Sequence, residues 1–303
     1  MAKYVVKRGL LAVVTVFIIC AITFFAMNAI PGGPFDKEKA PSPEVKAVLE
    51  ERYNLNKPVT TQFVLYLKNL AHGDLGVSLK TGRDIAKTVK ESFAVSARLG
   101  GTAAFFAVII GVTLGSIAAL MRNKWPDRLI IFLSTLFTAL PSFVLAILLL
   151  LVFCVQLRWV PAFSVTNKSY ILPIISLALY PMAYITRLTK TSMLDALGQD
   201  YIRTARAKGV SQTKVIFKHG LRNALIPVIT YVGPMLAFIL TGSLVVENIF
   251  NIGGLGTKFV SSITNRDYPM IMATTIFLAC LMVFMNLISD LVYKVVDPRI
   301  TFE

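Results

Sequence analysis

Apolar residues in this chain gather into six long blocks, at residues 9–30, 99–120, 129–157, 171–188, 225–246 and 270–293. Each reaches roughly the 20 residues that a helix needs to cross the hydrocarbon of a bilayer. Helix is the form dictated there, because a backbone group left unpaired in lipid is costly and a helix pairs its own N–H and C=O groups. The third block is long enough to tilt or kink, with Pro141 as the expected kink. Pro173, Pro181, Pro227 and Pro234 predict that the fourth and fifth blocks are broken or bent. The pattern therefore predicts an all-α integral membrane protein with six transmembrane helices.

The blocks divide the chain into a cytoplasmic N-terminus at 1–8, a first transmembrane helix at 9–30, an extracytoplasmic segment at 31–97 and a core transmembrane domain at 98–303. The first block follows Lys3, Lys7 and Arg8 as in a signal peptide. It is too long for one, and Pro31-Gly32-Gly33-Pro34 follows in place of a cleavage site, so it reads as a retained helix. In the outer segment, Ser42-Pro43-Glu44 opens a helical pattern through Val45, Val48, Leu49 and Tyr53. Phe63, Leu67 and Leu70 mark a second helix within 60–70, Gly73-Asp74-Leu75-Gly76 a turn, and 81–92 a third short helix.

Charge sets the orientation. The chain has 31 Lys and Arg against 16 Asp and Glu, a net +15. In a soluble protein this would point to nucleic acid; here the basic residues fall in short loops, where the positive-inside rule and anionic headgroups account for them. Sixteen lie on the side of the termini and of loop 189–223, and only Arg158, Lys168, Lys258 and Arg266 lie in short loops opposite. Both termini and that loop are therefore expected in the cytoplasm. Segment 31–97 holds ten basic and eight acidic residues and exceeds the length to which the rule applies. Cys20, Cys154 and Cys280 each sit inside an apolar block and read as small buried side chains.

Candidate chemistry is sparse. No Gly-x-x-x-x-Gly-Lys-Ser/Thr loop occurs; Gly253-Gly254-Leu255-Gly256-Thr257-Lys258 has the wrong spacing and reads as a turn. His72 and His219 fall on opposite sides of the membrane. No catalytic, cofactor or metal-ligating set is proposed. Glu247 and Asp290 lie near span ends rather than at midmembrane, where ion-coupled carriers place such groups. Mild polarity remains on the spans: Ser134, Thr135, Thr138, Pro141 and Ser142 on the third, Thr274 and Asn286 on the sixth. These residues suit either helix packing or the lining of a translocation path.

The loop 189–223 is much longer than a helix connection needs. It reads as a helix over 199–208, a stop at Gly209, and a second helix capped by Ser211 that runs through Val215, Ile216, His219 and Leu221 into the fifth span. Tyr201, Arg203, Thr204, Ala205, Ala207 and Lys208 give the first helix a charged yet slender surface. It either docks in a partner's groove or rests on headgroups.

Arg203-Thr204-Ala205-Arg206-Ala207-Lys208-Gly209, followed by His219-Gly220-Leu221-Arg222-Asn223-Ala224-Leu225-Ile226-Pro227, resembles the coupling loop of permease subunits in binding-protein-dependent ABC importers. That family's pattern is Glu-Ala-Ala, three residues, then Gly; Arg203 and Thr204 replace its first two residues, while Ala205 and Gly209 match. Further likeness to the oligopeptide and dipeptide branch lies in Ala29-Ile30-Pro31-Gly32-Gly33-Pro34-Phe35, Tyr53-Asn54-Leu55-Asn56-Lys57-Pro58, Gly73-Asp74-Leu75-Gly76, Pro141-Ser142-Phe143, Thr241-Gly242-Ser243, Glu247, Gly253-Gly254-Leu255-Gly256, Arg266-Asp267-Tyr268-Pro269 and Asp297-Pro298-Arg299. The resemblance is strongest to a B-type oligopeptide permease subunit.

The resemblance implies the type I importer permease fold in a bacterial or archaeal cell membrane. It implies a second homologous permease subunit, two cytoplasmic ATPases that bind ATP and Mg, and an extracytoplasmic peptide-binding protein. This chain would supply half of the path. The residues from Tyr201 to Gly209 would couple it to the ATPases, while Gly73, Asp74, Gly76, Glu247, Arg266 and Asp267 would help dock the binding protein. A dipeptide or nickel permease is the near alternative, and a stand-alone ion-coupled peptide carrier the distant one. The outer segment could also be a simple cap on the helix ends.

Overall fold

The computed structural model describes residues 2–31, 33–35, 51, 54–164, 166–241 and 243–296. The expected helix from Ser42 to Tyr53 and the Asp297-Pro298-Arg299 motif lie outside them. Among the described residues five helices are long and apolar enough to span a membrane, or six if one sharply bent pair is counted as a span. Contacts divide the chain into two compact units, each discontinuous in sequence: residues 1–95 with 253–283, and 96–252 with 284–303.

The first unit contains α1 (Ala2–Ala29), α2 (Val59–Ala71), the start of α3 (Ile85–Leu120), α11 (Leu255–Asn265) and the first part of α12 (Tyr268–Val296). α1 buries one edge only. Cys20, Phe24 and Met27 pack with Phe63 of α2 and Ile271, Met272 and Ile276 of α12, while Leu10, Val13, Phe17 and Ile22 stay exposed. The Phe24 and Phe63 rings lie 5.1 Å apart. The third outer helix expected over 81–92 is the opening of α3, which runs without a break from Ile85 to Leu120. Its residues Ile85 and Val89 pack with Leu255, Met270 and Ala273, and this burial carries the helix past the apolar block.

The second unit holds the rest of α3, α4 (Trp125–Ala139), α5 (Ser142–Leu149), α6 (Ile171–Leu197), α7 (Asp200–Ala207), α8 (Gln212–Lys214), α9 (Arg222–Leu240), α10 (Leu244–Ile249) and the end of α12. α5 continues as a π-helical stretch, Leu150–Gln156. α4 and α5 meet at 106°. Proline explains the bend: Leu140 is driven into extended backbone (ψ 133°) before Pro141, and α5 restarts with the Pro141 carbonyl accepting from Val144 and Leu145.

The other prolines do not interrupt their helices. α6 runs unbroken through Pro181, and α9 through Pro227 and Pro234. Pro173 lies in the first turn of α6, where a missing N–H costs nothing. The interruption in the fifth block falls after Leu240, before α10 begins at Leu244. Packing holds α6 and α9 together: Ile185 on α6 is sealed against Val228, Met235 and Ile239 on α9 and Ala104 on α3. Close approach requires glycine at Gly115, where a Cβ would sit 2.5 Å from the Thr186 carbonyl oxygen.

Candidate functional site

α7 stands at the head of the loop between α6 and α9. Gln199 precedes it in extended backbone, and Gly209 follows it at φ +74°. The Gly209 N–H donates to the Arg206 carbonyl (3.0 Å) and the Val210 N–H to that of Ala205 (3.1 Å), so the helix closes on a left-handed residue. A Cβ at Gly209 would meet nothing within 4 Å; the demand for glycine there comes from the backbone alone.

Ile202 and Ala205 are buried against Val215, with Leu197 and Val210 beside them. Tyr201, Arg203, Thr204, Arg206, Ala207 and Lys208 are exposed. The slender surface expected at Ala205 therefore faces the chain's own core, and the outward surface is built from Thr204, Ala207 and their charged neighbours. Arg203 lies 3.6 Å from Asp200, both in solvent. The Tyr201 hydroxyl accepts from Asn223 Nδ2 at 3.0 Å, tying α7 to the base of α9.

The second helix of the loop also departs from expectation. Ser211 takes the cap position, but its side chain makes no capping hydrogen bond. After one turn of α8 the backbone widens to a π-helix over Val215–Leu221. There Gly220 packs so closely that a Cβ would lie 2.9 Å from Leu197 Cδ2.

An ion pair that the sequence reading did not find braces this end of the unit. Lys190 Nζ of α6 donates to Asp127 Oδ1 at 2.5 Å, and the Asn123 N–H donates to Asp127 Oδ2 at 2.9 Å. Asp127 is buried in the first turn of α4, where the helix dipole favours a carboxylate. The partners are separated by 63 residues, so no spacing rule pairs them. The available signal is a lone acid among Arg122, Lys124 and Arg128.

The residues read as path candidates fall in both units. Ser134 is buried; the Thr138 hydroxyl donates to the Ser134 and Thr135 carbonyls, and that of Thr135 to Ile131. Thr274 is fully buried and donates to Met270 and Ile271. These hydroxyls are engaged by their own helices. Pro141 and Ser142 are exposed at the α4–α5 bend, and Asn286 is exposed on α12. Thr274 belongs to the first unit, and the other candidates to the second.

Two docking candidates have buried side chains. Asp267 is buried, accepting from Ser78 Oγ (2.5 Å) and the Leu79 N–H (3.1 Å). Glu247 is fully buried and accepts from Ser96 Oγ at 2.7 Å. Asp267 thus holds the segment around Ser78 and Leu79, while Glu247 of α10 is tied to Ser96 of α3. Gly73 (φ +78°) and Gly76 (φ +75°) flank Asp74, whose Oδ1 accepts from the Gly76 N–H at 2.8 Å. Gly73 and Asp74 remain exposed. Arg266 ends α11 in left-handed backbone, φ +55°. Nearby, Lys80 Nζ donates to the Pro34 carbonyl (2.6 Å) and lies 5.7 Å from the Phe35 ring centroid.

Comparison with known proteins follows the same outline. The chain is 46% identical to the dipeptide transport system permease protein DppB of Bacillus subtilis, covering 99% of this chain and 98% of that one. It is 43% identical to the oligopeptide transport system permease protein OppB of Escherichia coli K12 over all of both chains. A solved structure of the MetNI methionine ABC transporter in inward-facing conformations aligns with TM-score 0.56 at 16% identity, over 70% of this chain and 97% of that one. An amino acid ABC transporter structure aligns with TM-score 0.51 at 17% identity, over 70% and 98%. The fold is thus that of a type I ABC importer permease. Residues 111–302 match the family described as the binding-protein-dependent transport system inner membrane component, and residues 1–100 match its N-terminal family. The chain belongs to the inner membrane components of binding-protein-dependent transport systems.

Proposed function

We propose that this chain forms half of the translocation path of an ATP-driven peptide importer. The observation that carries this reading is full-length identity of 42–46% to relatives named as dipeptide and oligopeptide permeases. A second, homologous permease subunit completes the path, an extracytoplasmic binding protein delivers peptide, and two cytoplasmic ATPases hold ATP and Mg. α7 supports the ATPase role: it is a short basic helix, exposed on one face and anchored on the other by Ile202, Ala205 and Val215. ATP binding and hydrolysis then shift the path between its two orientations by favouring different ATPase arrangements.

Oligopeptides are the proposed cargo; the 46% identity to DppB supports dipeptides as the second reading. Competition for uptake by dipeptides, pentapeptides and Ni²⁺ in cells carrying or lacking this chain separates them. Uptake that is independent of the chain overturns the proposal. On this proposal both termini and α7 lie in the cytoplasm. Thr81→Cys, at an exposed site, should then label from outside and Ser211→Cys only from inside, in a background without the native cysteines.

A further inference from the structure

α6 carries a polar stripe where a lipid-facing helix would be apolar. Tyr180, Tyr184, Arg187, Thr191 and Asp195 follow one another at steps of four, three, four and four, which places them on one helical face. Tyr180, Tyr184, Thr191 and Asp195 are exposed and Arg187 is half-buried. Other exposed positions in the same unit show the contrast: Phe105 and Phe106 on α3 and Phe238 on α9 are apolar, as lipid demands.

Depth removes the usual explanation for tyrosine in a membrane helix. At 1.5 Å per residue, Tyr180 and Tyr184 lie about 14 and 20 Å along α6 from Ile171. Tyr180 is thus at the middle of a hydrocarbon layer about 30 Å thick, away from the interfacial belts where tyrosine gathers, and Tyr184 is one turn nearer the Arg187 end. Tyr231 of α9 stacks on Tyr184 with ring centroids 4.3 Å apart. Tyr180 and Tyr184 are 47% and 37% exposed, and among the described residues none of the three hydroxyls has a hydrogen-bond partner. Phenol groups at that depth need water or a polar ligand, because hydrocarbon offers no partner.

We propose that Tyr180 and Tyr184, with Tyr231 stacked behind them, line the aqueous path and hydrogen-bond the backbone of the passing peptide. This rests on the proposed function. Peptides of any sequence share amide N–H and C=O groups, and a phenol both donates and accepts. The ring faces receive apolar side chains without choosing among them. The surface therefore suits cargo of varied sequence. The polar stripe continues to Asp195, near the base of α7, which gives the cargo a wetted exit.

The test uses membrane vesicles of both orientations from cells that express the full transporter, with Cys20, Cys154 and Cys280 replaced. Single Tyr180→Cys and Tyr184→Cys variants are treated with a charged, membrane-impermeant methanethiosulfonate, with Phe105→Cys and Phe238→Cys as lipid-facing controls. The tyrosine positions should react at least ten-fold faster than the controls, be protected by peptide, and lose uptake on modification. A Tyr180→Phe/Tyr184→Phe double variant should take up peptide several-fold more slowly while capturing the loaded binding protein normally. Reaction only with a lipophilic maleimide would place the stripe in lipid. No reaction with either reagent would place it in a sealed subunit interface. Either result overturns the inference. Wild-type vesicles that take up no peptide would overturn the proposed function instead, so the two failures are distinguishable.

Discussion

The loop that carries α7 and the turn that carries Asp267 each contain charged residues within stretches that resemble importer permeases, yet they use them in opposite ways. On α7 the charges point outward: Arg203 and Asp200 are both in solvent, and only Ile202 and Ala205 turn inward. At the turn before α12 the carboxylate points inward, with Asp267 closed over by Ser78 and Leu79. An outward charge on a small anchored helix is available to a partner. A buried charge met by two donors is already occupied and serves to fix a loop. Resemblance to a family motif thus does not say whether a charge serves contact or shape.

Breaking the buried partner should have the largest effect. Asp267→Ala leaves the Ser78 hydroxyl and the Leu79 N–H without their acceptor, a loss of about 2–4 kcal/mol. Thermal unfolding in detergent should show a clear fall in Tm, larger than for Ser78→Ala. A wild-type Tm would show that the turn is held by other contacts.

Ala205→Glu comes next. It forces a carboxylate between Ile202 and Val215, which should detach α7 while leaving the spans inserted. Peptide uptake should fall more than ten-fold and the ATPases should no longer copurify. The mechanism differs from an obstructed groove, since the side chain points into the chain's own core. Normal copurification with lost uptake would restore the outward-contact reading of Ala205.

Gly209 sharpens the comparison because its requirement is purely conformational. With φ at +74° and open space around the missing Cβ, Gly209→Asn should retain most uptake, since Asn tolerates the left-handed region. Gly209→Ala should cost about 1 kcal/mol, and β-branched Gly209→Val more, with uptake falling in that order. Equal loss in all three would mean that the site is sensitive to bulk, and a partner then covers it.

The smallest stability effect belongs to Arg203→Ala. Its ion pair with Asp200 is fully in solvent, so Tm should not move measurably. ATPase retention, measured by copurification at rising salt, should nevertheless weaken. Unchanged retention would remove Arg203 from the docking face.

The apolar blocks were sufficient for the helical membrane fold, the kink at Pro141 and the helix–glycine break at Gly209, because each follows from local chain chemistry. Burial in the bilayer demands long apolar helices, proline restricts the residue before it, and only glycine enters the left-handed region freely. The sequence could not reveal that α6 and α9 pass intact through Pro181, Pro227 and Pro234, because packing of Ile185 against Val228 and Met235 outweighs a local preference. Nor could it pair Asp127 with Lys190, or turn Glu247, Asp267 and Ala205 inward. Those outcomes depend on residues far apart in the chain meeting in space. A side chain's role as surface or support is fixed by which groups surround it, and only the tertiary structure decides that.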